Sequence, residues 1–235
     1  MSDNLLYSGK AKKVFDAGNG NIVMHYKDDT TAYNGIKKAQ IANKGFLNNQ
    51  ISSIIFKKLN EAGIPTHFIE TLNEREQLCK YVEIIPLEII VRNVIAGSLA
   101  KRLGLKEGTP ISNVIFEINY KNDRLGDPMV NEDHAVAINA CTYEEIKYIK
   151  EVALKVNNIL KDLFINVGVS LIDVKLEFGR TVDGSIILAD EISPDTSRLW
   201  DAKTHDKLDK DRFRKDLDHV IDAYKEIYNR LLSIK

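Results

Sequence analysis

The run Leu171-Ile172-Asp173-Val174-Lys175-Leu176-Glu177-Phe178 alternates apolar and charged residues. In a strand, Ile172, Val174, Leu176 and Phe178 would face one way and Asp173, Lys175 and Glu177 the other. A solvated strand face has the same pattern, so the next segment bears on what the charges do. Asp183-Gly184 predicts a two-residue hairpin turn. That register sets Phe178 opposite Ala189 and Glu177 opposite Asp190. Two carboxylates opposed on one face repel. A shared proton, a lysine such as Lys175, or a cation would relieve the repulsion. A carboxylate pair with open coordination is also how Mg²⁺ is held beside phosphates.

Other segments carry weaker chemistry. Glu191-Ile192-Ser193-Pro194-Asp195-Thr196-Ser197-Arg198-Leu199-Trp200-Asp201 leaves the carboxylate pair directly and holds the only Trp. Arg198 could fork onto a carboxylate or phosphate, or could be a surface arginine in a capped turn. Ser8-Gly9-Lys10-Ala11-Lys12-Lys13 could hold polyphosphate through backbone N–H groups and lysines, or could be a basic hairpin tip. It lacks the spacing of a Walker A loop. In Arg92-Asn93-Val94-Ile95-Ala96-Gly97-Ser98-Leu99, an apolar strand runs into a short helix. Gly97 or Ser98 could cap that helix, with amides free for an anion and Arg92 near the strand end. Asp127-Pro128-Met129-Val130-Asn131-Glu132-Asp133 has the composition of a polar surface turn. His25, His67, His134, His205 and His219 are scattered without metal-binding spacing.

Positioning these residues requires strands and helices in a particular order. Ala11–Ala17 and Ile22–Tyr26 read as strands around the Gly18-Asn19-Gly20-Asn21 turn. A polar loop is expected over Lys27–Gly35 and a helix over Ala39–Ala62, stopped by Gly63 and Pro65. Strands follow at Thr66–Leu72, Tyr81–Ile85, Glu88–Val94 and Asn113–Tyr120, then a loop at Asn122–His134. Thr142 and Glu145 form a capping box. The helix it opens bears an Ile146, Ile149, Val152, Val156, Ile159, Leu163 stripe, with Gly168 at C′. Two strands and a turn span Val169–Asp190. The last helix is expected over Asp211–Leu232, with Phe213, Leu217, Val220, Tyr224, Ile227 and Leu231 inward. The Asp206–Asp218 charge run reads as a solvated face.

Composition narrows the function classes. The 235 residues are 44% hydrophobic and 29% charged, as in an ordinary globular protein, and two domains are expected with a boundary near residue 82. A net charge of −1 offers no bulk field for nucleic acid. No apolar run is long enough for a membrane helix, and Met1–Phe15 lacks the apolar stretch of a signal peptide. Cys79 and Cys141 form no metal or redox motif and fit a reducing cytoplasm.

Taken together and in order, these motifs resemble the SAICAR synthetase family of purine biosynthesis over nearly the whole chain: Ser8-Gly9-Lys10-Ala11-Lys12, Val91-Arg92-Asn93 with Ala96-Gly97-Ser98, Asp127-Pro128-Met129-Val130-Asn131-Glu132, Asp173–Gly179 and Asp190–Asp201. The resemblance implies an α+β fold with a kinase-like small N-terminal lobe, residues 1–82, and an ATP-grasp-like larger lobe, residues 83–235. It implies ATP-dependent joining of L-aspartate to the carboxylate of a carboxyaminoimidazole ribotide, giving the succinocarboxamide, ADP and phosphate. By motif, Gly9, Lys10, Ala11 and Lys12 would cover the ATP phosphates, and the hinge at 81–86, with Tyr81 and Ile84, would lie beside adenine. Glu177 and Asp190 would hold Mg²⁺. Arg92, Ser98, Lys175 and Arg198 would bind the ribotide's phosphate and carboxylate, supported by Asp173. Lys121 and Asp127 match a loop at the active site. A cytoplasmic homo-oligomer, such as a homodimer, acting on small molecules is expected, without nucleic acid or membrane. The rivals are a small-molecule kinase on the same two-lobed scaffold and a non-catalytic nucleotide-binding module.

Overall fold

The computed structural model describes residues 4–32 and 36–234. The first sheet opens with β1 (Leu5–Ser8), β2 (Lys12–Gly18) and β3 (Asn21–Tyr26). After them, β4 (Asp29–Ala32) and β5 (Lys37–Gln40) pair as an antiparallel ribbon and α1 runs Lys44–Glu61. Then come β6 (Phe68–Thr71) and β7 (Glu76–Lys80), which complete the sheet in the order β1-β2-β3-β7-β6. The second sheet follows: β8 (Glu83–Ile84), β9 (Leu87–Val94), α2 (Gly97–Leu103), β10 (Pro110–Tyr120), a 3₁₀ turn at Asp123–Leu125, and β11 (Met129–Val130). After α3 (Glu132–Ala137) and α4 (Tyr143–Ile165) come β12 (Val169–Arg180), β13 (Ile186–Ala189) and β14 (Ser197–Asp201). The chain closes with α5 (Asp211–Arg214) and α6 (Val220–Leu232). This is a mixed α+β architecture, as expected.

The long strand β12 is the spine of the second sheet. Along one edge it pairs with β9 over Asp173–Leu176 and then with β8 at Gly179–Arg180. Along the other it pairs with β14 as far as Val174 and with β13 from Glu177. The connection from β13 to β14 therefore crosses the middle of β12, where the Lys175 N–H donates to the Thr196 carbonyl at 2.8 Å. Val174, Leu176 and Phe178 point into the main core with Leu47, Ile51 and Phe56 of α1, Ile149, Val156 and Leu160 of α4, and Tyr224 and Ile227 of α6. The helices thus cover one face of β12, and its charged face is left for the site. Ile172 departs from the expected alternation. The β12–β14 register slips between Leu171 and Asp173, so Ile172 is a bulge residue that packs with Ala96 and Trp200 on the far side from Val174.

Several boundaries differ from expectation. The Lys27–Gly35 loop contains β4, because Thr30 and Ala32 alternate inward; its last residues, 33–35, lie outside the described set. The first helix starts at Lys44, after a left-handed Asn43 (φ 68). The strand β7 carries no turn signals of its own and was not anticipated. The Asn122–His134 loop contains β11 and the start of α3, which Asn131 caps with His134. In α4 the capping box is present, but the stripe rotates one position so that Leu160 and Phe164 are the buried residues; the helix ends at Ile165 with Asn166 as its C-cap, leaving Gly168 (φ 71) one residue beyond C′. The expected Asp211–Leu232 helix is broken between Arg214 and Val220 by left-handed Asp216 (φ 54) and His219 (φ 61), which leaves Leu217 40% exposed.

Candidate active site

Register brings the charged residues together. Asp173 is paired with Arg92 of β9 on one side and with Arg198 of β14 on the other, so all three share a sheet face. Both arginines donate to one Asp173 oxygen, at 3.0 Å from Arg92 and 2.8 Å from Arg198. The ladder continues outward. Arg92 Nε donates to Glu117 of β10 at 2.8 Å and its Nη2 to the Ser98 hydroxyl at 3.1 Å, while Arg102 holds the other Glu117 oxygen. On the far side Arg198 Nε donates to Asp211 at 2.9 Å, and Arg214 donates to the other Asp211 oxygen at 2.7 Å. Four guanidinium groups alternate with three carboxylates. Burial alone would lower the Arg198 pKa, but Asp173 and Asp211 hold it well above its usual range. Arg92 is 2% exposed, with its guanidinium fully engaged. A cavity of about 200 Å³ opens on this ladder, lined also by Glu88, Lys175 and Thr196.

The geometry at Gly97 shows how closely this is packed. Gly97 has φ +55, and an added Cβ would lie 2.6 Å from Arg198 Cζ. The start of α2 is therefore a bare-backbone floor under the Arg198 guanidinium. The cap itself is Ala96, with no side-chain hydrogen bond, so neither Gly97 nor Ser98 caps α2.

Next along β12, Lys175 donates to Glu88 at 3.0 Å and to Glu177 at 2.6 Å, and Lys121 pairs with the other Glu177 oxygen. Glu177 and Asp190 are not directly opposed. The turn is a three-residue loop, Val182-Asp183-Gly184, closed by Thr181 and Ser185, with Gly184 at φ +82. The Asp183 carboxylate accepts from Ser185 N–H and from the Thr181 hydroxyl, which favours the longer loop. Glu177 consequently faces Ala189. Asp190 leaves the strand through left-handed backbone (φ 61), which turns its carboxylate to Lys12 of β2. Lys12 also donates to Glu191 at 2.9 Å. Burial would raise the Asp190 pKa, yet Lys12, Lys175 and Lys121 hold it well below the carboxylate range. Burial would lower the pKa of Lys12, and that of Lys175; their carboxylate neighbours hold both well above the usual range. The expected repulsion is thus relieved by lysines, and the acids share one charge cluster without sharing a pair position.

The remaining candidates lie around this cluster. Lys10 reaches Asp123 of the 3₁₀ turn at 2.6 Å. The Gly9 N–H closes onto the Lys12 carbonyl at 2.8 Å, Lys27 Nζ holds the Gly9 carbonyl at 3.2 Å, and the Ala11 carbonyl accepts from Lys27 N–H at 2.8 Å. A cleft of about 730 Å³ lies among this turn, the β4–β5 ribbon and Asp123. Tyr81 and Ile84 are exposed where the chain leaves the first sheet for the second; Tyr81 N–H bonds to Gly20, and Ile84 pairs with Gly179. Asp127 (φ 50) accepts from Asn122 N–H at 2.9 Å and so shapes the loop after Lys121.

Sequence reasoning missed Glu88, Glu117, Glu191 and Asp211 as partners of these residues. The Asp206–Asp218 run is not a solvated face: Asp209 and Asp211 are buried, between Leu208 and Phe213, which are buried too. Those flanking apolar residues were the available signal. Asp209 accepts from Leu199 and Asp211 N–H groups, and burial together with Asp211 pushes its pKa up to about 7. A second buried cluster, Lys44 with Asp195 at 2.7 Å and Tyr224 hydroxyl with Asp195 at 2.7 Å, ties α1 and α6 to the loop before β14.

The SAICAR synthetase family model matches residues 5–231. A phosphoribosylaminoimidazole-succinocarboxamide synthase of Clostridium novyi is 59% identical, with 100% of each chain covered. One from Dichelobacter nodosus is 59% identical over 99% of this chain and 98% of its own. The crystal structure of the corresponding synthase from Ehrlichia chaffeensis superposes with a TM-score of 0.95 at 48% identity, covering 99% of this chain and 100% of that one. A SAICAR synthetase in complex with ADP gives 0.94 at 52% identity, over 97% and 98% of the two chains. With the motifs in register and the match running end to end, the chain belongs to the SAICAR synthetase family.

Proposed function

We propose that this chain joins L-aspartate to the carboxylate of 5-amino-1-(5-phospho-D-ribosyl)imidazole-4-carboxylate, consuming ATP and releasing the succinocarboxamide, ADP and phosphate. The observation that carries the residue-level reading is the meeting of Lys12, Lys121 and Lys175 around Glu177 and Asp190, beside the Arg198 cavity. Lysines of that density suit polyphosphate, and the arginine ladder suits a phosphate or carboxylate. ADP bound by a 52%-identical relative supports the nucleotide assignment. End-to-end similarity to named synthases favours the ligase over a kinase or a non-catalytic module.

In this reading Gly9, Lys10, Ala11 and Lys12 cover the ATP phosphates, and the 81–86 crossing between the sheets, with Tyr81 and Ile84, lies beside adenine. Arg198 and Ser98 contact the ribotide, while Arg92 and Asp173 set the ladder that orients Arg198. Lys175 and Lys121 neutralise the oxygens of the transferring phosphoryl group. Asp127 shapes the Lys121 loop. A carboxylate is a poor acyl donor, so the γ-phosphoryl passes first to a carboxylate oxygen, breaking the bond to the β-phosphate bridge oxygen and releasing ADP. The neutral aspartate amine then attacks the acyl carbon, phosphate leaves, and one amine proton is lost. Glu177 and Asp190 offer hard oxygen donors of the kind Mg²⁺ takes alongside substrate phosphates, so the residues fit that ion. When bound, it would offset charge on the phosphate oxygens.

The finer setting is a cytoplasmic homo-oligomer with small-molecule substrates only. Buried free Cys79 and Cys141 suit a reducing compartment, and the exposed Leu5, Leu6 and Tyr7 of β1 offer an apolar edge for assembly. No described helix is long and apolar enough to cross a membrane. The test follows ATP, aspartate and ribotide together. ADP and succinocarboxamide should form in equal amounts, with no ADP release when aspartate and ribotide are both withheld. A stable phosphorylated product released over many turnovers, with aspartate left unconsumed, would overturn the ligase reading in favour of a kinase.

A further inference from the structure

His67 is buried and has no part in the chemistry above, yet it touches the backbone of a residue that does. Its Nε2 lies 3.0 Å from the Asp190 carbonyl oxygen. A carbonyl can only accept, so Nε2 carries the proton. The ring packs edge-on against Phe56 of α1, with centroids 5.3 Å apart and planes at 62°. The main chain of His67 is clamped as well: its N–H donates to Leu188 at 2.8 Å, and its carbonyl accepts from Lys80 at 2.7 Å. Residues 65–67 thereby link β7 of the first sheet to β13 of the second through a parallel bridge between Thr66 and Leu188.

Asp190 needs such support. It is a non-glycine residue at φ 61, a conformation that L side chains enter at a cost. That turn is what carries its carboxylate out of the β13 alternation and onto Lys12. Two residues further on, the Ser52 hydroxyl of α1 accepts from Ile192 N–H at 3.3 Å. The turn is therefore held at two points, by the Ser52 hydroxyl of α1 at Ile192 and by the His67 imidazole at Asp190 itself.

We propose that His67 is a positioning residue: its Nε2–H fixes the Asp190 carbonyl, and with it the left-handed turn that aims the Asp190 carboxylate at Lys12 and the nucleotide phosphates. This rests on the nucleotide and Mg²⁺ roles assigned above. Such outer partners typically change metal affinity by about 10- to 100-fold.

The experiment compares wild type with His67→Gln, which keeps an N–H donor, and His67→Phe, which keeps the ring and removes the donor. His67→Met, filling the space without a donor, carries the test should the second ring not fit beside Phe56. Calorimetry measures ADP affinity with and without Mg²⁺, and steady-state kinetics gives KM for ATP and for the ribotide. The donor-less variant should lose about tenfold or more of the Mg²⁺-dependent gain in ADP affinity. KM for ATP should rise similarly, with KM for the ribotide within about twofold, and His67→Gln should recover most of the loss. Unchanged Mg²⁺–ADP affinity in the donor-less variant, or equal damage in His67→Gln, overturns the assignment. Wild type that gains no ADP affinity from Mg²⁺ would overturn the metal reading itself, a result distinct from either.

Discussion

Replacing Gly97 by alanine should separate the geometry of Arg198 from the stability of the fold. The new Cβ would stand 2.6 Å from Arg198 Cζ and 3.0 Å from its Nη1. Carbon–carbon contacts are comfortable at about 3.5–4.0 Å, so the guanidinium must retreat by about 1 Å. The 2.8 Å bond from Arg198 to Asp173 then stretches past hydrogen-bonding range. A charge-assisted bond of this kind is worth about 1.5–3 kcal/mol, and a 1 Å misplacement can cost about 100-fold in rate. The left-handed backbone adds its own penalty, about 1–2 kcal/mol for an alanine. Gly104, at the other end of α2, isolates that penalty: its φ is +65 and nothing lies within 4 Å of an added Cβ. Gly104→Ala should lower Tm by about 2–8 °C for a chain of this size and leave kcat/KM near wild type. Gly97→Ala should lose at least that stability and about 100-fold in kcat/KM for the ribotide, equivalent to about 2.7 kcal/mol. Equal kcat/KM in the two variants would refute the idea that α2 holds Arg198 in a working position.

Lys10 and Lys12 should part company. Lys12→Ala strands Asp190 and Glu191 and should cost about 3–5 kcal/mol, whereas the exposed Lys10–Asp123 pair is worth about 0–1 kcal/mol; both should raise KM for ATP with little change for aspartate, and an unchanged Tm in Lys12→Ala would contradict the pairing. Glu177→Gln should abolish turnover, measured at saturating Mg²⁺, and should lower the metal-free Tm by several degrees, since Glu177 joins Lys121 and Lys175; a Tm increase would instead restore the picture of opposed, repelling acids. Asp209, with its folded pKa pushed up to about 7, keeps its proton to higher pH than the unfolded chain, so its contribution favours the fold at low pH and is lost as pH rises from about 4 towards 7. His67, held down at about 4 by burial, slopes the other way below about 6.5, so the comparison with Asp209→Asn isolates Asp209. Between pH 5 and 8 the variant should lose less Tm than wild type does, and parallel profiles would refute it.

Much of the site was legible in the sequence because its signals are local. The alternation at 171–178 sends Lys175 and Glu177 to one face, the capping box opens α4 where expected, and the order of the motifs by itself points to the family. The sequence alone did not determine which charges meet. A one-residue difference in loop length moved Glu177 from Asp190 to Ala189, because side chains in a strand change face with every step. Asp190 returned to the cluster through a left-handed turn fixed by His67, a residue far from it in the chain whose surroundings no spacing rule reveals. Asp211 looked solvated within a charged run, yet it is buried against Arg198, since only the packed fold decides whether a charge meets water or a partner. Periodicity and turn chemistry act between near neighbours, so they are written in the chain; ion-pair ladders, backbone strain and close approach at Gly97 depend on contacts that exist only once both sheets and α1 have come together.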